Sequence, residues 1–206
     1  SYHNGSGTYS LSLQRVNNPG AAQAFIFGQT ASGTIDSFAK MVTYSFSVNA
    51  NDKLYIAFNK LTQTSGYFEP YLELYDTTGT RIAGSYSGLL TATITTAGNL
   101  CLLVTDNYLN GTGTYELTLQ RTNNPANATT LSFGSTTSGT IGTITDVDAY
   151  KFTASANDTV TIRFSETANT TGYFEPYLEL YDSTGTRLSY STSNSLTQKL
   201  TTSGTF

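Results

Sequence analysis

The chain has 206 residues and a formal net charge of −4, and only 12% of its residues are charged. Nucleic-acid-binding proteins concentrate Lys and Arg on one face, whereas the ten basic residues of this chain are scattered. Charge therefore argues against a nucleic-acid partner. The length allows two domains of ordinary size, each able to bury its own core. Hydrophobic residues make up 38% of the chain, and no apolar run is long enough to span a membrane as a helix.

Apolar residues recur at every second position along much of the chain, which predicts β-strands with one buried face. In chain order, these alternating runs are 9–13, 42–48, 54–58, 72–74 and 90–94. Turn signals rich in Asn, Asp and Gly separate them. The run 100–104 is apolar throughout and predicts a central strand covered on both faces. We expect an all-β fold of tandem antiparallel β-sandwich domains with jelly-roll-like topology.

The sequence repeats itself with an offset of 106 residues. Segment 66–76 recurs unchanged at 172–182, and segment 7–19 recurs nearly unchanged at 113–125. The residue before a proline favours extended backbone, so the Asn-Asn-Pro sequences that end at Pro19 and Pro125 are interpreted as linkers between sandwiches.

The repeat divides the chain into three parts: 1–16 as the terminal strand of a preceding repeat, 17–121 as a complete sandwich, and 122–206 as a second sandwich that lacks its last strands. On the shared register Phe206 matches Leu100. We expect a strand from a neighbouring unit, in a longer array or in another subunit, to complete the second sandwich. The residues assigned to this assembly strand are Thr8, Tyr9, Leu11, Leu13 and Arg15.

Several motifs resemble those of one family. The second unit carries Asp-Val-Asp-Ala-Tyr-Lys-Phe at 146–152, Pro-Tyr-Leu-Glu-Leu-Tyr-Asp-Ser-Thr-Gly at 176–185 and Thr-Ser-Gly-Thr-Phe at 202–206, and the first carries Gly-Thr-Gly-Thr-Tyr-Glu-Leu-Thr-Leu at 111–119. In this order they resemble the bacterial pre-peptidase C-terminal (PPC) domain family over nearly all of each unit. The resemblance implies a small β-sandwich module attached to a secreted peptidase or another surface protein, with calcium-dependent collagen-binding modules among its relatives.

Acidic residues of the second unit predict a metal site. Asp146 and Asp148 fall on one face of a strand edge, and with Glu175 they offer the oxygen ligands that calcium prefers. The alternative is a solvated start of a strand. Lys40 and Val42 stand at the equivalent positions of the first unit, so such a site exists only once. No other cofactor is predicted.

Further acidic residues recur in the unchanged segment. Asp76 and its counterpart Asp182 begin turns with Gly at the fourth position, which predicts that they cap the turn backbone. Glu69 and Glu175 each precede a proline. We predict that each forms an ion pair with an arginine, Glu69 with Arg81 and Glu175 with Arg187, or that each binds a cation.

Aromatic residues of the same segment predict a binding face. Strand alternation places Tyr71 and Tyr75 on the face opposite Leu72 and Leu74, where exposed rings can stack on sugars or on a neighbouring chain. Packing within or between domains is the alternative. The residues of this predicted face are Tyr67, Phe68, Tyr71, Tyr75, Tyr173, Phe174, Tyr177 and Tyr181.

No catalytic set can be assembled within a unit. The only histidine is His3 in the N-terminal segment, and the only cysteine, Cys101, lies in the predicted central strand. Neither a Ser/His/Asp nor a Cys/His arrangement is therefore available. We predict that the protein is not an enzyme.

Two functions from different classes remain. The first is a structural repeat of an extracellular filament, sheath or surface layer, which assembles with copies of itself head to tail by strand complementation. The second, implied by the resemblance, is an accessory module that binds collagen, glycan or cell wall, with calcium dependence as a further expectation. The abundance of Thr and Asn and the scarcity of Lys and Glu favour an extracellular or cell-surface location for both.

Overall fold

A computed structural model describes residues 6–168, 172 and 174–206. Over these residues the chain forms strands and turns and no helix, which confirms the predicted all-β class. Accordingly, this part of the chain contains no helix that is long and apolar enough to cross a membrane.

Nine strands lie in residues 17–121, called the first unit below. They are β1 (Gln23–Ala24), β2 (Gln29–Ile35), β3 (Val42–Val48), β4 (Lys53–Ser65), β5 (Pro70–Tyr75), β6 (Arg81–Ser85), β7 (Leu89–Thr93), β8 (Gly98–Asp106) and β9 (Thr112–Arg121).

The nine strands form two sheets, one in the order β1-β3-β8-β5-β6 and the other in the order β2-β9-β4-β7. All pairings are antiparallel except that of β1 with β3. Strand β8 is hydrogen-bonded on both edges, and its run 100–104 is buried on both faces, as the unbroken apolar pattern predicts. Strand β9 of the other sheet is likewise hydrogen-bonded on both edges and buried on both faces.

The alternating apolar residues of the two sheets pack against each other in one core. At its centre the buried hydroxyls of Tyr44 on β3 and Tyr115 on β9 share a hydrogen bond of 3.1 Å between the sheets. Burial raises the pKa of both hydroxyls. A side chain at Gly33 on β2 would overlap the Tyr115 hydroxyl, so glycine leaves the space that this ring fills.

Eight shorter strands lie in residues 122–206, called the second unit below. They are β10 (Thr129–Thr130), β11 (Tyr150–Lys151), β12 (Thr153–Ala154), β13 (Thr159–Arg163), β14 (Leu178–Tyr181), β15 (Arg187–Ser191), β16 (Ser195–Lys199) and β17 (Gly204–Thr205).

These eight strands form four separate pairs, β10-β11, β12-β17, β13-β16 and β14-β15. The first residue of each of these strands lies 106 positions after a residue of a first-unit strand. By this offset, β17 corresponds to the beginning of β8. The described second unit contains no counterpart of β9, the strand that joins β2 to β4. Its core, built around Leu180, Leu196 and Leu200, is smaller. Ile141 is 40% exposed, whereas its counterpart Ile35, which ends the β2 ladder with β9, is fully buried.

The predicted turn capping by aspartate is confirmed in both units. The Oδ1 atom of Asp76 accepts hydrogen bonds of 2.8 Å from the backbone N–H groups of Thr78 and Thr80. Asp182 accepts the equivalent bonds, each of 2.9 Å. Hydrogen bonds to Thr78 and to the turn backbone lower the pKa of Asp76. The two turns therefore have the same internal structure.

The tyrosine pair yields a test of the first unit's core. Replacing Tyr115 with Phe leaves the buried Tyr44 hydroxyl without its partner, which should lower the free energy of unfolding by about 1–3 kcal/mol. Replacing both tyrosines with Phe should restore much of this loss because no unpaired hydroxyl remains. Urea unfolding gives the free energy of unfolding of the two single variants and of the double variant. A loss in the double variant equal to the sum of the two single losses would contradict the pairing.

Candidate assembly site

Residues 6–16, called the arm below, form no strand and expose the apolar side chains of Tyr9, Leu11 and Leu13. The exposed fractions are 84% for Tyr9, 85% for Leu11 and 98% for Leu13. These side chains alternate with Ser10 and Ser12, as in a strand with one apolar face. The predicted assembly residues Thr8 and Arg15 are exposed as well.

The counterparts of the arm in β9 are deeply buried. Tyr115, Leu117 and Leu119 are fully buried in the first unit's core. The arm thus carries the same three side-chain types at the same spacing, in the opposite environment.

The second unit retains the residues that receive Tyr115 in the first. Gly33 and Tyr44, which contact the Tyr115 hydroxyl, correspond to Gly139 and Tyr150. A side chain at Gly139 would overlap the Tyr150 hydroxyl and the Asp148 carboxylate. These two groups therefore occupy the position that the Tyr115 hydroxyl takes in the first unit.

The strands that flank β9 in the first unit have open counterparts in the second. Strand β4 pairs with β7 on one edge and β9 on the other, whereas β13 pairs with β16 alone among the described residues. Residues 135–141, which match β2, form no strand. One open strand edge, that of β13, therefore lies where β9 would enter, beside the strandless residues 135–141.

A glutamine joint connects the arm to the first unit. The Oε1 atom of Gln14 accepts hydrogen bonds of 2.9 Å from the backbone N–H groups of Arg15 and Gly20, and Nε2 donates to the Gly20 carbonyl at 2.9 Å. Gln120, at the end of β9, makes the same three bonds to Arg121 and Ala126, at 2.8 to 3.1 Å. The arm therefore joins the first unit as β9 joins the second.

The residues after each joint pack against the Asp-capped turn of the following unit. Val16 and Asn17 lie against Gly79, and Thr122 and Asn123 lie against Gly185. Both glycines have positive φ angles, 86° and 72°, which favour glycine in these turns. Joint and turn contact together form a repeated connection between units.

One contact between the units is not repeated at the arm. The Oε1 atom of buried Glu116 accepts hydrogen bonds from the Thr145 hydroxyl at 2.6 Å and from its backbone N–H at 3.1 Å. Ser10 and Ala39 stand at the equivalent positions, and neither side chain can supply this carboxylate–hydroxyl pair. The arm thus lacks a contact that fixes β9 to the second unit.

Additional contacts hold the two units together beside this pair. Lys53 Nζ donates to the Thr186 hydroxyl at 3.2 Å, and Asn123 Nδ2 donates to the Asn51 carbonyl at 3.0 Å. Burial, with the negative charge of Glu179 nearby, raises the pKa of Tyr55 to about 12. The outer face of the first unit's four-stranded sheet is therefore covered in part by the second unit.

No protein-family model and no curated protein matches the chain. Solved structures similar to it include the pre-peptidase C-terminal domain of a collagenase from Bacillus anthracis, at 21% identity and a TM-score of 0.40; that match covers 50% of this chain and 99% of the domain. PliG, a periplasmic inhibitor of g-type lysozyme, matches from Aeromonas hydrophila at 8% identity and a TM-score of 0.36, covering 48% of this chain and 100% of PliG.

PliG from Salmonella Typhimurium matches at 17% identity and a TM-score of 0.34, covering 50% of this chain and 99% of PliG. The collagenase domain carries the name of the pre-peptidase C-terminal family, which the sequence motifs resemble.

Some residues of the predicted aromatic face are buried and others are exposed. Phe68 is fully buried in the first unit's core, so its assignment to an exposed face is wrong. Phe174 packs on the Phe164 ring with centroids 5.6 Å apart, and Tyr181 is half-buried. The half-buried rings Tyr71 and Tyr75 lie on the outer face of β5, where the Tyr71 hydroxyl accepts a hydrogen bond from Arg81. The exposed members are Tyr67 and Tyr177, and Tyr173 lies outside the described residues.

The predicted acidic site is only partly brought together. The Oδ2 atom of Asp146 accepts a hydrogen bond from the Gly142 N–H at 2.8 Å, and burial, then the charge of Asp146, raises the pKa of Asp148. Across the described ranges, no three acidic, histidine or cysteine side chains form a group able to hold a metal ion, so Glu175 does not join this pair. Calcium binding through Asp146 and Asp148 stays a prediction.

The predicted ion pairs of the recurring glutamates are wrong. Arg81 pairs with Glu73 at 3.1 Å and Arg187 with Glu179 at 2.5 Å, because these glutamates lie on the adjacent strand of the same sheet face. The Glu69 carboxylate instead accepts a hydrogen bond from Asn107 at 2.7 Å.

Sequence reasoning missed several residues of the assembly site, namely Gln14, Glu116, Gly139, Thr145 and Tyr150. Gly139 and Tyr150 could have been found from the repeat, because they match Gly33 and Tyr44. Glu116 and Thr145 differ from their counterparts and carry no such signal.

The contact between the units can be tested at Thr145. Replacing Thr145 with Ala removes a hydrogen bond to the buried Glu116 carboxylate, which should destabilise local docking by about 1–3 kcal/mol. Hydrogen exchange of the amides of residues 139–148 should accelerate by about tenfold or more. The matched control is Thr143→Ala, an exposed threonine of the same loop. Equal protection in both variants would contradict the role of Thr145.

Proposed function

We propose that the protein is a non-enzymatic, extracellular structural repeat that assembles head to tail, the arm of one copy entering the second unit of another as the missing counterpart of β9. One observation carries the proposal. The arm exposes Tyr9, Leu11 and Leu13, whose counterparts are fully buried, while the second unit keeps Gly139 and Tyr150 at the positions that receive the equivalent tyrosine.

Strand insertion offers a favourable free energy from two sources. Fully burying a large apolar side chain contributes about 1.5–3 kcal/mol, and the arm offers three. Backbone hydrogen bonds would form along β13 on one edge and residues 135–141 on the other, as β9 forms them with β4 and β2. Ordering the arm opposes these terms. Insertion is therefore favourable in free energy only if the accepting unit buries all three apolar side chains.

The proposed register follows from the first unit. Strand β9 aligns Leu117 with Phe58 and Leu119 with Ile56. The offset of 106 places Leu11 beside Phe164 and Leu13 beside Ile162 of the accepting copy. Tyr9 would then reach Tyr150 as Tyr115 reaches Tyr44, and the Tyr150 hydroxyl would exchange Asp148 for Tyr9 as its partner.

This contact joins two different surfaces and so propagates. Each copy offers one arm and one acceptor edge, so every added copy presents a new free site. The repeated glutamine joint directs the arm from the first unit as β9 is directed from the second, which favours a regular filament, sheath or layer. The low content of Lys and Glu and the abundance of Thr and Asn support an extracellular or cell-surface location.

Adjacent arm positions provide a matched test of assembly. Leu11→Glu places a charge in the proposed buried face and should abolish assembly of the full chain. Ser10→Glu adds the same charge on the opposite face, where Glu116 stands in β9, and should leave assembly intact. Light scattering after size exclusion, with negative-stain electron microscopy, reads out the result. Equal assembly of both variants, or monomers in the wild-type protein, would overturn the proposal.

Disulfide trapping tests the register between copies. Because Thr118 pairs with Ala57, Ser12 of one copy should lie opposite Arg163 of another. A mixture of Ser12→Cys and Arg163→Cys chains should form a mixed disulfide under mild oxidation, and neither variant should do so alone. Ser10→Cys with Arg163→Cys is the out-of-register control. The native Cys101 is buried and should not react. Efficient trapping only in the control would refute this register.

A further inference from the structure

Three exposed tyrosines meet at one end of the first unit. Tyr67 lies on the β4–β5 turn, Tyr86 on the β6–β7 turn and Tyr108 on the β8–β9 turn. The rings of Tyr67 and Tyr108 contact edge to face, with centroids 5.3 Å apart. Neither Tyr86 nor Tyr108 belonged to the predicted aromatic face. Their approach arises from the sheet topology, which brings turns distant in sequence to one end.

Tyr67 and Tyr86 line an open cleft of about 170 Å³. They are 54% and 59% exposed, respectively. The cleft is also lined by Asn59, Lys60 and Glu69, and Lys60 Nζ lies 5.7 Å from the centroid of the Tyr67 ring. The surface thus combines accessible ring area with an amide, an ammonium and a carboxylate group.

The turns that carry Tyr67 and Tyr108 are fixed by a buried aspartate. The Asp106 carboxylate accepts hydrogen bonds of 2.9 Å from the backbone N–H groups of Glu69, Asn110 and Gly111. Asn107 in turn donates to the Glu69 carboxylate at 2.7 Å. Because these bonds join the β4–β5 and β8–β9 turns, the backbone that carries Tyr67 and the carboxylate of Glu69 are held in place before any ligand binds.

We propose that this cleft binds a pyranose residue of a neutral polysaccharide. A pyranose ring offers an apolar C–H face that can stack on an aromatic ring, together with hydroxyls around its edge. Tyr67 and Tyr86 supply ring area, and Asn59, Lys60 and Glu69 supply donors and acceptors for the hydroxyls. Pre-organisation by Asp106 reduces the entropy lost on binding. The site goes beyond the proposed assembly and does not depend on it.

The cleft is specific to the first unit. Asn59, Lys60 and Tyr86 correspond to Ser165, Glu166 and Thr192 in the second unit, so the amide, the cation and one ring are replaced. The described part of each chain therefore carries one such site, and a filament would present these sites at regular spacing.

Titration of the full-length chain with defined sugars tests the site. The probes are cello-, chito- and manno-oligosaccharides, added in calorimetric and NMR titrations. We expect saturable binding to one of these series. Tyr67→Ala and Tyr86→Ala should each weaken it by about tenfold or more, and Tyr67→Phe should retain it because the stacking ring remains. Thermal unfolding checks that each variant folds, as expected for exposed side chains.

Two controls separate this site from other surfaces. Tyr177→Ala and Tyr190→Ala remove exposed tyrosines of the second unit and should leave sugar binding unchanged. Leu11→Glu should block assembly and also leave sugar binding unchanged, so failure of one proposal is distinguishable from failure of the other. Absence of binding to all three series, or binding that Tyr67→Ala does not weaken, would overturn the inference.

Discussion

The pairing of β9 is the constraint on which the first unit depends. This strand is hydrogen-bonded to β2 on one edge and β4 on the other, and it is buried on both faces. Its inner face carries Tyr115, which meets Tyr44 of the opposite sheet, and its outer face carries Glu116, which docks the second unit. One strand therefore closes a sheet, fills a core and positions a neighbour. The described second unit, without such a strand, contains only two-stranded pairs.

The arm repeats the chemistry of β9 without its partners. Gln14 and Gln120 form the same hydrogen bonds, and the residues that follow them pack on equivalent turns. Ser10 does not reproduce Glu116, so the arm lacks the buried carboxylate contact. A segment held at its joint but exposed along its apolar face is suited to exchange between chains, because leaving its present position breaks few contacts.

The aromatic cleft depends on a different part of the same topology. Asp106, at the end of β8, ties the β4–β5 turn to the β8–β9 turn through three backbone donors. Rigid turns on a closed sandwich can hold side chains in fixed positions at low entropic cost on binding. The cleft and the arm use separate residues, so a chain could bind sugar and assemble at once.

Periodicity alone determined much of this protein. Alternating apolar residues predicted the strands, the unbroken run 100–104 predicted a doubly covered central strand, and aspartate with glycine predicted the turns at Asp76 and Asp182. The repeat also marked Tyr9, Leu11 and Leu13, because their spacing is that of a buried strand. Local patterns could not place Phe68 in the core, pair Arg81 with Glu73 or bring Tyr86 beside Tyr67. Those relations depend on strand order and register, which join residues distant along the chain, so only the tertiary structure decided them.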